Sequence, residues 1–232
     1  LWQTTTTSPE ISMTALKIVL GNQNYSSWSL RPWLALKHLG VPFEEVVIPL
    51  DQPHTREEIL RFSPSGRVPA LLDGDLTVWD SLAICEYLHE KFPERHLWPA
   101  DGKARATARS VSAEMHSGFA ALRQDLPMKF RESLPMQSFR AEVKQDIERI
   151  VEIWTQCRRR FGGGQPFLFG AFSIADAMYG PVVSRFRTYG VKLQGAPAEY
   201  VETMLATPAM KDWLRAARAE THRMARYEVQ KP

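Results

Sequence analysis

Apolar positions recur in two rhythms along this 232-residue chain. In the first part, short β-type runs alternate with stretches of helical spacing. Residues 15–20 (ALKIVL) read as a strand; Leu30, Trp33, Leu34 and Leu39 then follow helical periodicity until Gly40 and Pro42 end it. Pro32 is tolerated best near a first turn, which sets the predicted start of that helix near Ser29. Residues 43–50 (FEEVVIPL) predict a second strand and TREEILRF a short helix. Residues 70–72 and 77–79 flank Asp73-Gly74, a hairpin signal because glycine accepts positive φ. Leu82, Cys85, Leu88 and Phe92 step by three and four, predicting another helix. The order is β-α-β-α-β-β-α, which predicts one α/β layer with a mixed four-stranded sheet.

After Lys103 the rhythm is helical throughout. Val143, Ile147, Ile150, Trp154, Cys157 and Phe161 form one apolar seam that Gly162–Gly164 should end. Ser173 and Asp176, three apart at the start of SIADAMYG, predict a capping box with Asp in place of the usual Glu. Met210, Trp213, Leu214 and Ala217 predict a late helix. The expected organisation is a disordered extension at 1–13, an α/β domain at 14–94, a linker at 95–103 and an all-α domain at 104–232.

Composition narrows the function classes. The chain is 44% hydrophobic and 24% charged with a net charge of +3, too slight an excess to argue for nucleic acid. Arg158–Arg160, the longest run of like charge, suits the C-terminal end of a helix dipole. Both cysteines, Cys85 and Cys157, fall on apolar stripes and read as buried thiols in a reducing, cytoplasmic compartment. The Thr-rich start has neither the basic nor the apolar region of a signal peptide, and no apolar run approaches the ~20 residues of a membrane span. The six histidines are scattered, so no metal site is expected.

The stretch NYSSWSLRPW empties a strand into two serines at a helix mouth, where outward N–H groups and the dipole favour an anion. SSWSLRPWLALKHLGVPFEEV, SPSGRVPALLDGD and WDSLAICEYLHEKFP, in that order, resemble the thioredoxin-like N-terminal domain of glutathione S-transferases. The helical half, with FSIADAMYGPVV, resembles their C-terminal domain, and the serine pair is similar to the serine-type branch that includes zeta and theta enzymes.

The resemblance implies glutathione as co-substrate, a small hydrophobic electrophile as second substrate, and a homodimer. It implies that Ser26, or Ser27 in a theta-like register, stabilises the glutathione thiolate. Glutathione's thiol titrates near 8.5, and each unit of lowering requires ~1.4 kcal/mol of preferential thiolate stabilisation, within reach of one hydroxyl hydrogen bond. It further implies a cis Val68–Pro69 peptide that turns the Val68 backbone to the cysteinyl part, Arg67 near the glycine carboxylate, and Asp80 and Ser81 at the γ-glutamyl end. Tyr25, Trp28, Met115, His116 and Phe119, with Arg123, are the candidate electrophile pocket. Trp28 stands where zeta enzymes carry Cys. The alternatives are an isomerase of the maleylacetoacetate type, a non-catalytic transferase-like module, and a thioredoxin-like redox enzyme, which would need a thiolate at the first helix.

Overall fold

A computed structural model describes residues 16–228; the extension expected at 1–13 lies outside them. Strand β1 (Leu16–Leu20) pairs in parallel with β2 (Phe43–Val47), Leu16 opposite Phe43 and Leu20 opposite Val47. A parallel pair needs a crossover, and helix α1 (Ser27–Leu39) supplies it. After α2 (Thr55–Leu60), β3 (Ala70–Asp73) runs antiparallel to β1, and β4 (Leu76–Trp79) antiparallel to β3. Gly74 closes that hairpin at φ 62°. The strand order is β2-β1-β3-β4, a mixed four-stranded sheet, followed by α3 (Ser81–Lys91).

Strand alternation divides the sheet between two cores. Leu16, Ile18, Leu20 and Leu71 join the main core with α1 and α3, whereas Val19 and Ala70 meet Ile59 of α2 on the other face.

The second half holds α4 (Gly102–Ser117), α5 (Ala120–Asp125), α6 (Ala141–Phe161), α7 (Ile174–Tyr189), α8 (Ala196–Ala206), α9 (Pro208–Ala219) and a last turn, α10 (Ala225–Glu228). α7 is buried almost throughout. Around it Trp154 meets Tyr179, Phe186 and Tyr200 with ring centroids 4.8–5.8 Å apart. α7 also seats α1: a Cβ on Gly180 would lie 2.5 Å from Leu34 Cδ1. Between the halves, Leu97 and Trp98 are fully buried, and the Leu97 carbonyl accepts the Ile174 N–H at 2.9 Å. No helix among the described residues is long and apolar enough to cross a membrane.

Two boundaries differ from the sequence reading. α1 begins at Ser27, not near Ser29, so Pro32 sits inside it. The i to i−4 bond it forfeits is to the carbonyl of Trp28, at the partly exposed end of the helix. The stripe from Met115 to Arg123 is not one helix either. α4 ends at Ser117, Gly118 caps it in extended backbone, and Phe119 turns at φ 60° before α5. Arg123 secures the break: Nε donates to the Gly118 carbonyl at 2.9 Å and Nη2 to those of Met115 and His116, supplying a cation to the orphan carbonyls of α4.

Candidate functional site

The loop that delivers the two serines is anchored from far along the chain. Glu220 accepts from Asn22 Nδ2 at 3.0 Å and from the N–H groups of Gln23 at 3.1 Å and Asn24 at 3.2 Å. Trp213 Nε1 donates to the Gln23 carbonyl at 2.7 Å. The buried Asn24 accepts the Arg131 N–H through its side chain, and its carbonyl accepts the Phe130 N–H. The helical half thus fixes where α1 begins.

At that start Ser26 is the N-cap, with Oγ accepting the Ser29 N–H at 3.4 Å and donating to Ser29 Oγ at 2.7 Å. Ser29 Oγ also accepts the Gly21 N–H at 3.0 Å, so it keeps a partner when the Ser26 proton turns elsewhere. Ser27 is the first helical residue. Both serines are only 6% exposed, and both line a cleft of about 550 Å³ between the two halves. Tyr25, Trp28, Arg67 and Val68 line it too.

The Val68–Pro69 peptide is cis. Pairing with β1 begins at Ala70, which leaves the Val68 backbone outside the ladder at the cleft wall; Pro69 is buried behind it. Arg67 is exposed. Asp80 is the N-cap of α3: Oδ1 accepts the Leu82 N–H at 2.9 Å and the Ala83 N–H at 3.2 Å, while Oδ2 lies 3.2 Å from His116 Nε2. The buried Ser81 hydroxyl accepts from Arg31 Nη1 at 3.5 Å.

The expected electrophile pocket forms only in part. Tyr25 and Trp28 line the cleft, Tyr25 with its hydroxyl donated to Glu228 at 2.7 Å and its ring stacked on Tyr227. Burial, then Glu228, raises the Tyr25 pKa. Met115 is a correction: it is fully buried in the main core, because the α4 face that carries it packs inward. Phe119 is likewise drawn into that core by its left-handed turn. His116 meets Asp80 and the edge of Trp28 instead of the cleft wall, and burial lowers its pKa. Of that stripe, Arg123 reaches the cleft.

Several lining residues are not singled out by the sequence reading, Arg185 among them. Arg185 of α7 is 4% exposed, donates from Nε to the Leu126 carbonyl at 2.8 Å, and lines the same cleft. Its signal was an arginine set in the apolar stretch GPVVSRF. Cys85 and Cys157 lie away from the helix mouth, and burial pushes both thiols up, Cys157 to about 12, so neither supplies a redox thiolate there.

A thioredoxin-like layer whose first helix opens on hydroxyls beside a cis-proline turn, backed by an all-helical domain, defines a two-domain transferase class. Family models match both halves: "Glutathione S-transferase, N-terminal domain" over residues 25–91 and "Glutathione S-transferase, C-terminal domain" over 137–216. A stringent starvation protein A homolog from Haemophilus ducreyi is 27% identical over 184 residues, 77% of this chain and 79% of that one. A zeta-class glutathione S-transferase from Euphorbia esula is 29% identical over 167 residues, 70% of each. Among solved structures, a glutathione transferase homolog from Burkholderia gl BGR1 with bound glutathione superposes with a TM-score of 0.68 at 24% identity, covering 89% of this chain and 100% of the other. The chain belongs to the glutathione S-transferase family of enzymes.

Proposed function

We propose that this enzyme binds glutathione along the cleft and activates its thiol by a serine hydroxyl at the start of α1 for attack on an electrophile. The observation that carries the reading is the pair Ser26 and Ser27 at the N-terminus of a 13-residue helix, lining one cleft with Val68. Ser26 is the first donor, because its proton can leave Ser29 Oγ without orphaning that atom. Ser27 is the second. The α1 dipole adds a smaller stabilisation of the sulfur's charge.

Val68 offers its backbone to the cysteinyl unit as an added strand meets a sheet edge. The hydroxyl and backbone N–H of Ser81, at the start of α3, hold the γ-glutamyl carboxylate, with the buried Arg31 guanidinium behind them. Arg67 takes the glycine carboxylate. Asp80 acts mainly through its cap, with Oδ2 turned to His116. The thiol loses its proton to solvent, the sulfur's electron pair forms the new bond to carbon, and the electrophile's leaving group departs. Trp28 in place of the zeta cysteine argues against the isomerase variant.

A second copy completes the assembly: Leu76 and Trp79 of the edge strand β4 are 45% and 47% exposed, apolar area suited to a twofold partner. Buried free thiols fit a cytoplasmic enzyme. The likeness to stringent starvation protein A homologues supports a second reading, a binding module without turnover. Titration of glutathione into the protein, followed by the ultraviolet absorbance of the thiolate, separates them. Binding with thiolate formed at neutral pH supports the transferase; binding of the protonated thiol without turnover supports the module. Absence of binding overturns both.

A further inference from the structure

Three arginines of the two halves surround Trp28 and the cleft, and none forms an ion pair with a described residue. Arg31 lies 4.3 Å and Arg123 4.9 Å from the centre of the Trp28 ring. Arg31 is fully buried with Nε and Nη2 unpartnered. Arg123 spends its hydrogen bonds on the carbonyls that end α4. Arg185, 4% exposed, has Nη1 without a partner. After burial, Arg123 and Arg185 lower the Arg31 pKa, and Arg123 lowers that of Arg185, to about 10, so Arg185 stays cationic at neutral pH.

The one carboxylate among the lining residues, Asp51, faces Arg226 at 3.8 Å and does not offset them. A buried guanidinium with an idle N–H is costly unless an acceptor arrives. Glutathione does not meet this need under the reading above, which assigns its carboxylates to Arg67 and to Ser81 with Arg31. Arg185 and Arg123, on the wall made by α5 and α7, are left over.

We propose that the electrophile bears a carboxylate, received by the Arg185 guanidinium at the cleft wall and favoured by the charge of Arg123, while Trp28, Pro127 and Met128 cover its apolar body. This rests on the glutathione reading and adds a carboxylate to the small hydrophobic electrophile that the family resemblance implies. The anion-binding group takes no part in bond making: the sulfur attacks carbon and the leaving group departs with its electron pair, the carboxylate unchanged.

The probes are an activated aryl chloride, chlorodinitrobenzoate, and its neutral primary amide, each assayed with glutathione. After division by the uncatalysed rates, kcat/KM should favour the benzoate by roughly 10-fold or more, the size of one charge-assisted hydrogen bond. Arg185→Gln should abolish that preference and Arg185→Lys should retain part of it. Binding of the chlorine-free dinitrobenzoate and dinitrobenzamide, measured calorimetrically without glutathione, tests the anion site on its own. Tighter binding of the benzoate, weakened by added salt, supports the proposal even where turnover is absent. Equal binding of the two, or a preference that survives in Arg185→Gln, overturns it. No glutathione-dependent turnover of either chloride, with the benzoate still preferred in binding, overturns the glutathione reading instead.

Discussion

Replacing Ser26 by Ala removes the hydroxyl that donates to Ser29 Oγ at 2.7 Å and accepts the Ser29 N–H at 3.4 Å. Two effects follow, with different signatures. Loss of the cap costs about 1 kcal/mol and lowers Tm by a few degrees, an effect without a titration of its own. Loss of a hydroxyl hydrogen bond to the thiolate removes roughly 1.5–3 kcal/mol of preferential stabilisation, which raises the bound thiol's pKa by about one to two units. With the free thiol near 8.5, the bound wild-type value is expected at about 6.5–7.5. Below that range kcat/KM of the variant should fall roughly 10- to 100-fold, and above about pH 9 the two profiles should converge. Ser26→Asp separates the effects further, since it keeps a good cap while placing a like charge beside the sulfur: stability is held and the apparent pKa rises. The assay is the pH dependence of conjugation together with thiolate absorbance of bound glutathione. Parallel profiles for wild type and Ser26→Ala would reduce Ser26 to a cap; the same result in Ser27→Ala would refute activation by a hydroxyl.

Three further outcomes follow from the packing. Asp176 is fully buried and accepts the Ser173 N–H at 2.8 Å and hydroxyl at 3.0 Å, yet burial outweighs these bonds and raises its pKa from 3.8 to about 6. The folded state therefore binds the proton more tightly than the unfolded one, and this residue adds stability as pH falls from about 6 to about 4, on the order of 3 kcal/mol in all. Asp176→Asn should remove that dependence, so the Tm difference between wild type and variant must change across this window; a constant difference refutes it. Gly180→Ala forces its Cβ against Leu34 Cδ1 and should cost about 1–3 kcal/mol in a thermal or denaturant melt, whereas an unchanged midpoint would mean that α1 is not tightly seated on α7. Arg31→Met replaces a buried, poorly partnered charge with a flexible apolar chain. Ligand-free Tm should hold or rise while glutathione affinity drops roughly 10-fold, and unchanged affinity would remove Arg31 from the γ-glutamyl site.

What could be read from the sequence was local. The hairpin at Asp73-Gly74, the seam of α6 and the Asp176 half of the capping box each depend on residues within a turn or two of one another, and each is present. The two serines were legible for the same reason, as a strand ending beside a helix mouth. Spacing said much less about which face of the helical half meets the cleft. Met115 and Arg123 have compatible helical spacing, but Phe119 at φ 60° breaks the helix between them, sending Met115 into the core and Arg123 to the cleft wall. No periodicity encodes that turn, because the arginine that secures it acts from the far side of the break. Glu220 is more distant still, holding Asn22–Asn24 across nearly two hundred residues of chain. Unpaired charge is the least legible quantity of all. Arg31 and Arg123 look unremarkable within their own segments and Arg185 stands out only by its apolar neighbours, and only the packing of α1, α5 and α7 brings the three cations together without an ion pair to a described residue. The proposed mechanism assigns selectivity for the second substrate to the assembled interface between the halves and thiol activation to the serine motif, and it therefore predicts that the two are separable by mutation: Arg185 variants should alter the choice among electrophiles, and Ser26 variants the thiol's pKa.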